Sequence, residues 1–273
     1  MRRKFYHKGL VKKLIPVFLA LTFFFTTPIN SLAKDVSDLN IVTYEGRDFN
    51  KYALSQKTIK WLKWYNSLPA ESQQMINYVP SDLQMSISLK SSVPLLYESE
   101  PLTYETDSLM ISSLLPVGGG EPVYNPAYWN DSTRIKKANC YVYSMDVICT
   151  TDRKLQPGEL SGKIFNTLTG EDIISAAIAD GPFLGDGRVI TSTTADEVPA
   201  DNQYKVALVI APDQDYHWYV QNSDGNWSHK RGWTEATNVD ANGDLITDPQ
   251  TCNREYEYID YHIWCGYYMV TRL

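Results

Sequence analysis

The sequence predicts an α+β fold, because helical patterns come first and short β-type runs follow without the alternation that βαβ units require. Helical patterns over 136–148 and 169–179 precede strand-like runs at 205–211, 216–221, 227–230 and 266–271, with turn residues between them. Beyond Glu121 the chain also becomes dense in Tyr and Trp, which suit a half-buried antiparallel sheet. With 273 residues, 43% of them hydrophobic, there is enough chain for one large domain or two small ones.

Residues 1–33 read as a secretory signal. Six basic and no acidic residues occupy 1–13, the 12-residue apolar run 14–25 follows, and Ser31-Leu32-Ala33 supplies small residues for cleavage before Lys34. The run is shorter than the roughly 20 residues a membrane-crossing helix needs. The expectation is a secreted protein with no stable membrane insertion after cleavage. Loss of six positive charges takes the net charge from -7 to -13. Such acidity disfavours nucleic acid as a partner, since a basic footprint is needed to displace its counterions.

Residues 34–117 read as a small helical arm or pro-segment. Two helical patterns, 57–65 and 70–78, flank Asn66-Ser67-Leu68-Pro69, and the stretch 81–115 is irregular. Gly118-Gly119-Gly120 reads as a flexible joint into a domain over 118–273.

The candidate chemistry lies in that domain. Asn139 is suited to cap the helix over 136–148, which places Cys140 in its first turn. There the positive helix end favours thiolate, the reactive form. A buried or disulfide-bonded Cys140 is the structural alternative. Cys149, nine residues on, falls on the opposite side of a continuous helix and reads as a small buried hydrophobe. Of the three pairings that four cysteines allow, Cys252 with Cys265 closes a 14-residue loop and leaves Cys140 free. Such a bridge contributes about 3 kcal/mol.

A thiol nucleophile needs a base. His217 and His229 lie on the two arms of a hairpin around Asp224-Gly225. With a three-residue loop over 223–225, Tyr219 opposes His229 and both histidines share one face; a two-residue turn puts them on opposite faces.

A cysteine at a helix start, a histidine in a following strand and a second histidine on the next strand resemble the papain-like superfamily, in its NlpC-type and CHAP-type bacterial branches. The resemblance runs from Tyr124 to Leu273 and is carried by Cys140, His217 and His229 in that order. It implies a papain-like domain with N-terminal helices packed on an antiparallel sheet. It also implies a thiol peptidase or amidase in which His217 deprotonates Cys140 and a third group fixes the His217 tautomer. That third group is His229, with Asn238 or Asp240 as alternatives. The implied partner is a peptide, such as a peptidoglycan stem peptide of the cell wall, met by a monomer. A secreted effector performing deamidation or acyl transfer with the same triad, and a non-catalytic binding module with two disulfides, are the other readings.

No metal or cofactor is expected. The run Asn238 to Leu245 follows the start of an EF-hand calcium loop but has Pro249 at the twelfth position and no flanking helices, so an Asn-Gly turn is the better reading. Trp218, Tyr219, Trp227, Trp233, Tyr256, Tyr258 and Tyr261 either line a groove or fill the core.

Overall fold

The computed structural model describes residues 40–88, 96–98 and 114–273. The signal sequence read at 1–33 and most of the stretch 89–113 lie outside these residues. The described part opens with a hairpin of β1 (Ile41–Tyr44) and β2 (Arg47–Asn50). Helices α1 (Gln56–Tyr65), α2 (Ala70–Met75) and α3 (Ser81–Ser88), strand β3 (Leu96–Glu98), helices α4 (Pro126–Trp129) and α5 (Cys140–Ser144), strand β4 (Val147–Cys149) and helix α6 (Gly170–Asp180) follow. The remaining strands are β5 (Arg188–Thr193), β6 (Gln203–Ala211), β7 (Asp215–Gln221), β8 (Trp227–Lys230), β9 (Ala236–Thr237), β10 (Glu255–Tyr256), β11 (Ile259–Asp260) and β12 (Ile263–Arg272).

Strands β5, β12, β6, β7, β8 and β9 form one sheet in that order, antiparallel throughout. The α+β class is therefore observed. Both faces of the sheet are covered, which is why β7 is buried at every position. Side chains alternate across a strand. Tyr216, Trp218 and Val220 pack with α5 and α6 residues such as Val142, Ile173 and Ala177. Tyr219, with Ala207 and Val209 of β6, faces the other way onto Trp61, Leu62 and Tyr65 of α1.

Helix α1 fits that face because Thr58, Trp61, Leu62 and Tyr65 recur at helical spacing on one side. Ser55 caps it, accepting from the Thr58 N–H at 3.2 Å. The helical segment expected to be a separate arm thus shares a core with the sheet. Two of the three glycines expected to be a flexible joint are packed: a Cβ on Gly118 would stand 1.8 Å from the Pro199 carbonyl oxygen, and one on Gly120 would stand 2.5 Å from that of Gln203, whereas Gly119 between them is exposed. The Glu121 carboxylate accepts from the N–H groups of Gly118 and Gly119, both at 2.8 Å.

Three local expectations change. The helix read over 136–148 is confined to Cys140–Ser144 and Cys149 lies on strand β4, because Asp146 adopts φ +54° and ends the helix. The stretch read as irregular from residue 81 opens with α3. Finally, the helix read over 70–78 stops at Met75, where Ile76 turns extended and the following N–H groups, of Asn77 and Tyr78, go to Asp215.

Candidate active site

The hairpin register follows from its loop. Asn222 N–H bonds to the Asn226 carbonyl at 2.8 Å, and Gly225 sits at φ +82°, a conformation glycine adopts at little cost. A three-residue loop results, so Tyr219 pairs with His229. His217 Nε2 then lies 2.7 Å from His229 Nδ1.

The tautomers can be assigned from the neighbours. His217 Nδ1 faces the Asn77 amide nitrogen at 3.4 Å, which can only donate, so Nε2 of His217 carries the proton given to His229. His229 in turn donates from Nε2 to the Val239 carbonyl at 3.0 Å. Burial, followed by the neighbouring His229 and Arg231, holds His217 well below its ordinary value. Burial pulls His229 down to about 4. Both rings are therefore neutral near pH 7. Tyr261, 5.3 Å from the His217 ring, and Tyr219, stacked 5.0 Å from that of His229, complete the enclosure.

Cys140 opens α5, capped by Asn139, whose Oδ1 accepts from the Val142 N–H at 3.3 Å. Its thiol was expected to be acidified by the helix end, and the opposite holds. Cys140 is fully buried, and burial together with the Asp215 charge pushes the thiol well above its ordinary value. Its Sγ lies 4.0 Å from the Tyr216 carbonyl oxygen, in the core shared with Tyr216 and Trp218. His217 faces the opposite side of β7. The structure thus joins His217 to His229 and sets the Cys140 sulfur apart from them.

What links them is a residue the sequence did not single out. Asn77 follows α2 on an extended strap, and its Oδ1 accepts from two backbone N–H groups, those of Cys140 at 3.1 Å and Gly232 at 2.8 Å. Its Nδ2 faces Asp215 Oδ2 at 3.1 Å and the Tyr216 carbonyl at 3.3 Å. The strap backbone is fixed as well: the N–H groups of Asn77 and Tyr78 reach the Asp215 carboxylate at 2.9 and 2.6 Å, and Gln156 Nε2 donates to the Asn77 carbonyl at 2.8 Å. Asp215 also accepts from the Tyr261 hydroxyl at 2.8 Å. Burial nevertheless outweighs these bonds and pushes Asp215 up to about 6.

Lys230 ties together the two loops that carry the donors. Its buried Nζ donates to the carbonyls of Ile135 at 2.6 Å, Ala138 at 2.7 Å and Gly232 at 3.0 Å. Asp215 was legible in principle, since it stands two residues before His217 on the same strand face. Asn77 had no local signal.

The other expectations resolve differently. The Asp240 carboxylate accepts from the N–H groups of Asn242, Asp244 and Asn253, so it shapes its own loop rather than orienting His217. Asn238 pairs through its carbonyl with the Ile246 N–H, and it is Val239, between the two, that reaches His229. The calcium-like run is a turn with Gly243 at φ +87°, closed by the Val239–Leu245 bridge. Among the described residues no group of three or more His, Cys, Asp or Glu could hold a metal ion.

All four cysteines are free. The expected Cys252–Cys265 bridge is not formed, because Cys252 packs with the α1-side core and Cys265 with the α5-side core. Most of the aromatic set fills the interior, Trp218, Tyr219, Trp227 and Tyr261 being fully buried. Trp233 instead lines a cleft of about 840 Å³, together with Tyr44, Glu45, Val79, Arg153 and Lys154. Its lining includes Trp233, the residue after Gly232, and Val79, two residues beyond Asn77, but not Asn77, Cys140, His217, His229 or Gly232 themselves.

No helix among the described residues is long and apolar enough to cross a membrane. No family model and no solved structure matches the chain. It is 36% identical over 143 residues to "Insoluble matrix shell protein 1" of Ruditapes philippinarum, covering 52% of this chain and 88% of that protein.

Proposed function

This chain belongs to the same family as insoluble matrix shell protein 1; from the geometry of its site, and not from that relationship, we propose that it is a secreted, papain-like thiol hydrolase of peptide or amide bonds. The observation that carries the reading is the convergence of the Cys140 and Gly232 N–H groups on one carbonyl oxygen beside the His217–His229 pair. Two N–H groups so placed match what a developing oxyanion requires.

In this reading the folded chain is a closed form. Displacing the Asn77 amide frees both donors and uncovers the Nδ1 lone pair of His217. The reading then requires the Cys140 thiol, which lies in the core on the other side of β7, to turn toward His217, which takes the proton. The thiolate attacks the amide carbonyl, and water later releases the acyl group. His229, which accepts the Nε2 proton of His217, holds the required tautomer. Peptides of an extracellular polymer, cell-wall stem peptides among them, are the substrate class the resemblance implies.

The name of that relative favours a second reading, a non-catalytic component of an extracellular matrix. Amide hydrolysis by the secreted chain separates the two. The hydrolase reading expects activity that Cys140→Ala and His217→Ala each abolish, and undiminished activity in Cys140→Ala overturns it.

A further inference from the structure

We infer that the site takes a primary carboxamide, the side-chain group of glutamine or asparagine, and that Asn77 is its resident occupant. The inference rests on the hydrolase reading and names the substrate class for that site.

The surroundings of Asn77 are complementary to a carboxamide. Its oxygen sits between two N–H donors, Cys140 at 3.1 Å and Gly232 at 2.8 Å. Its nitrogen faces acceptors of the sheet on two sides, Asp215 Oδ2 at 3.1 Å, and the Tyr216 carbonyl at 3.3 Å with His217 Nδ1 at 3.4 Å, and lies 3.5 Å from the Met75 carbonyl of its own strap. A –CONH2 group has two hydrogens to offer them. A peptide-bond nitrogen has one hydrogen and a carbon substituent, so it would serve one of these two sides and turn a carbon toward the acceptors of the other, which is the basis for rejecting it. A carboxylate offers no hydrogen and would face Asp215. The Tyr216 carbonyl also borders the Cys140 sulfur, at 4.0 Å, so the thiol and the amide nitrogen adjoin the same atom.

The reaction is then deamidation. The Cys140 proton passes to His217, the sulfur bonds to the carboxamide carbon, and the C–N bond breaks as His217 returns the proton to leaving ammonia. Water cleaves the thioester to a carboxylic acid and restores the thiol. The carboxylate product meets Asp215 and is expelled.

The test uses the mature chain with Asn77→Ala, and Asn77→Ser in parallel should the alanine variant fail to fold. Labelling of Cys140 by 2-chloroacetamide is compared with labelling by its N,N-dimethyl form, each normalised to free glutathione, with peptide mapping by mass. The expected result is a preference for the primary amide of about tenfold at Cys140, the worth of one well-made hydrogen bond. Ammonia release from a glutamine peptide should accompany it and vanish on adding Cys140→Ala. Equal labelling by the two reagents overturns the carboxamide assignment. Peptide-bond cleavage without ammonia overturns it while leaving the hydrolase reading in place. Selective labelling with no hydrolysis of any amide overturns the hydrolase reading and the deamidation step, leaving only a carboxamide-binding pocket.

Discussion

Asn77 and Cys140 stand 63 positions apart in sequence, yet the Asn77 carboxamide oxygen accepts the Cys140 backbone N–H at 3.1 Å. That bond places a residue of the N-terminal helical segment inside the constellation carried by the sheet domain.

It also bears on the idea that residues 34–117 are a removable pro-segment. Trp61, Leu62 and Tyr65 bury the sheet face made by Ala207, Val209 and Tyr219. Removing them uncovers a face of the central sheet, so a 121–273 fragment is expected to be insoluble or to bind a hydrophobic dye, whereas 34–273 remains monodisperse. A well-folded, soluble fragment in size-exclusion chromatography would contradict the shared core.

The glycine run makes a related prediction. Because Gly118 and Gly120 lie against the backbone of Pro199 and Gln203, limited proteolysis should spare 118–120 under native conditions. Gly118→Ala should destabilise the protein by about 1–3 kcal/mol through overpacking, read as a lower urea midpoint.

Lys230 offers a third test. Replacing it with Met leaves the carbonyls of Ile135, Ala138 and Gly232 without their common donor. At about 1–3 kcal/mol for an unsatisfied buried group, the loss should be about 3 kcal/mol or more in urea unfolding. The variant should also loosen Gly232 and speed Cys140 labelling. A wild-type labelling rate would show that Lys230 does not position the donor loops.

Acid sensitivity has two opposing sources. His229 falls from 6.5 to about 4 on folding, so the unfolded chain binds more protons across that window. Stability from this source rises with pH and is lost as pH falls through it. His217 acts in the same direction. Asp215 rises from 3.8 to about 6, so its contribution is present at low pH and is lost as pH rises through about 6. Urea midpoints between about pH 4.5 and about pH 6.5 should rise with pH in the wild type, less so in His229→Gln and more steeply in Asp215→Asn.

The parts of this architecture legible in the sequence are those fixed by local pattern. The runs at 205–211 and 216–221 are apolar because both faces of the sheet are covered, and they lie within β6 and β7. Gly225 in the hairpin loop was enough to bring His217 and His229 to one face. Long-range packing decided the rest. Asn77 leaves the helical path because the Asp215 carboxylate takes the N–H groups of residues 77 and 78. The Cys140 thiol follows its burial rather than the end of a five-residue helix. Gly232 is required because a Cβ there would stand 2.0 Å from the Gln74 carbonyl, a contact that exists only in the folded chain.

The most direct test of the thiol-hydrolase assignment is the intact mass and peptide map of the Asn77→Ala chain, acid-quenched during turnover of an amide substrate. An acyl group in thioester linkage at Cys140 is expected, absent from the Asn77→Ala chain that also carries Cys140→Ala or His217→Ala. Turnover that persists without Cys140, or that proceeds with the acyl group on another residue, would contradict it.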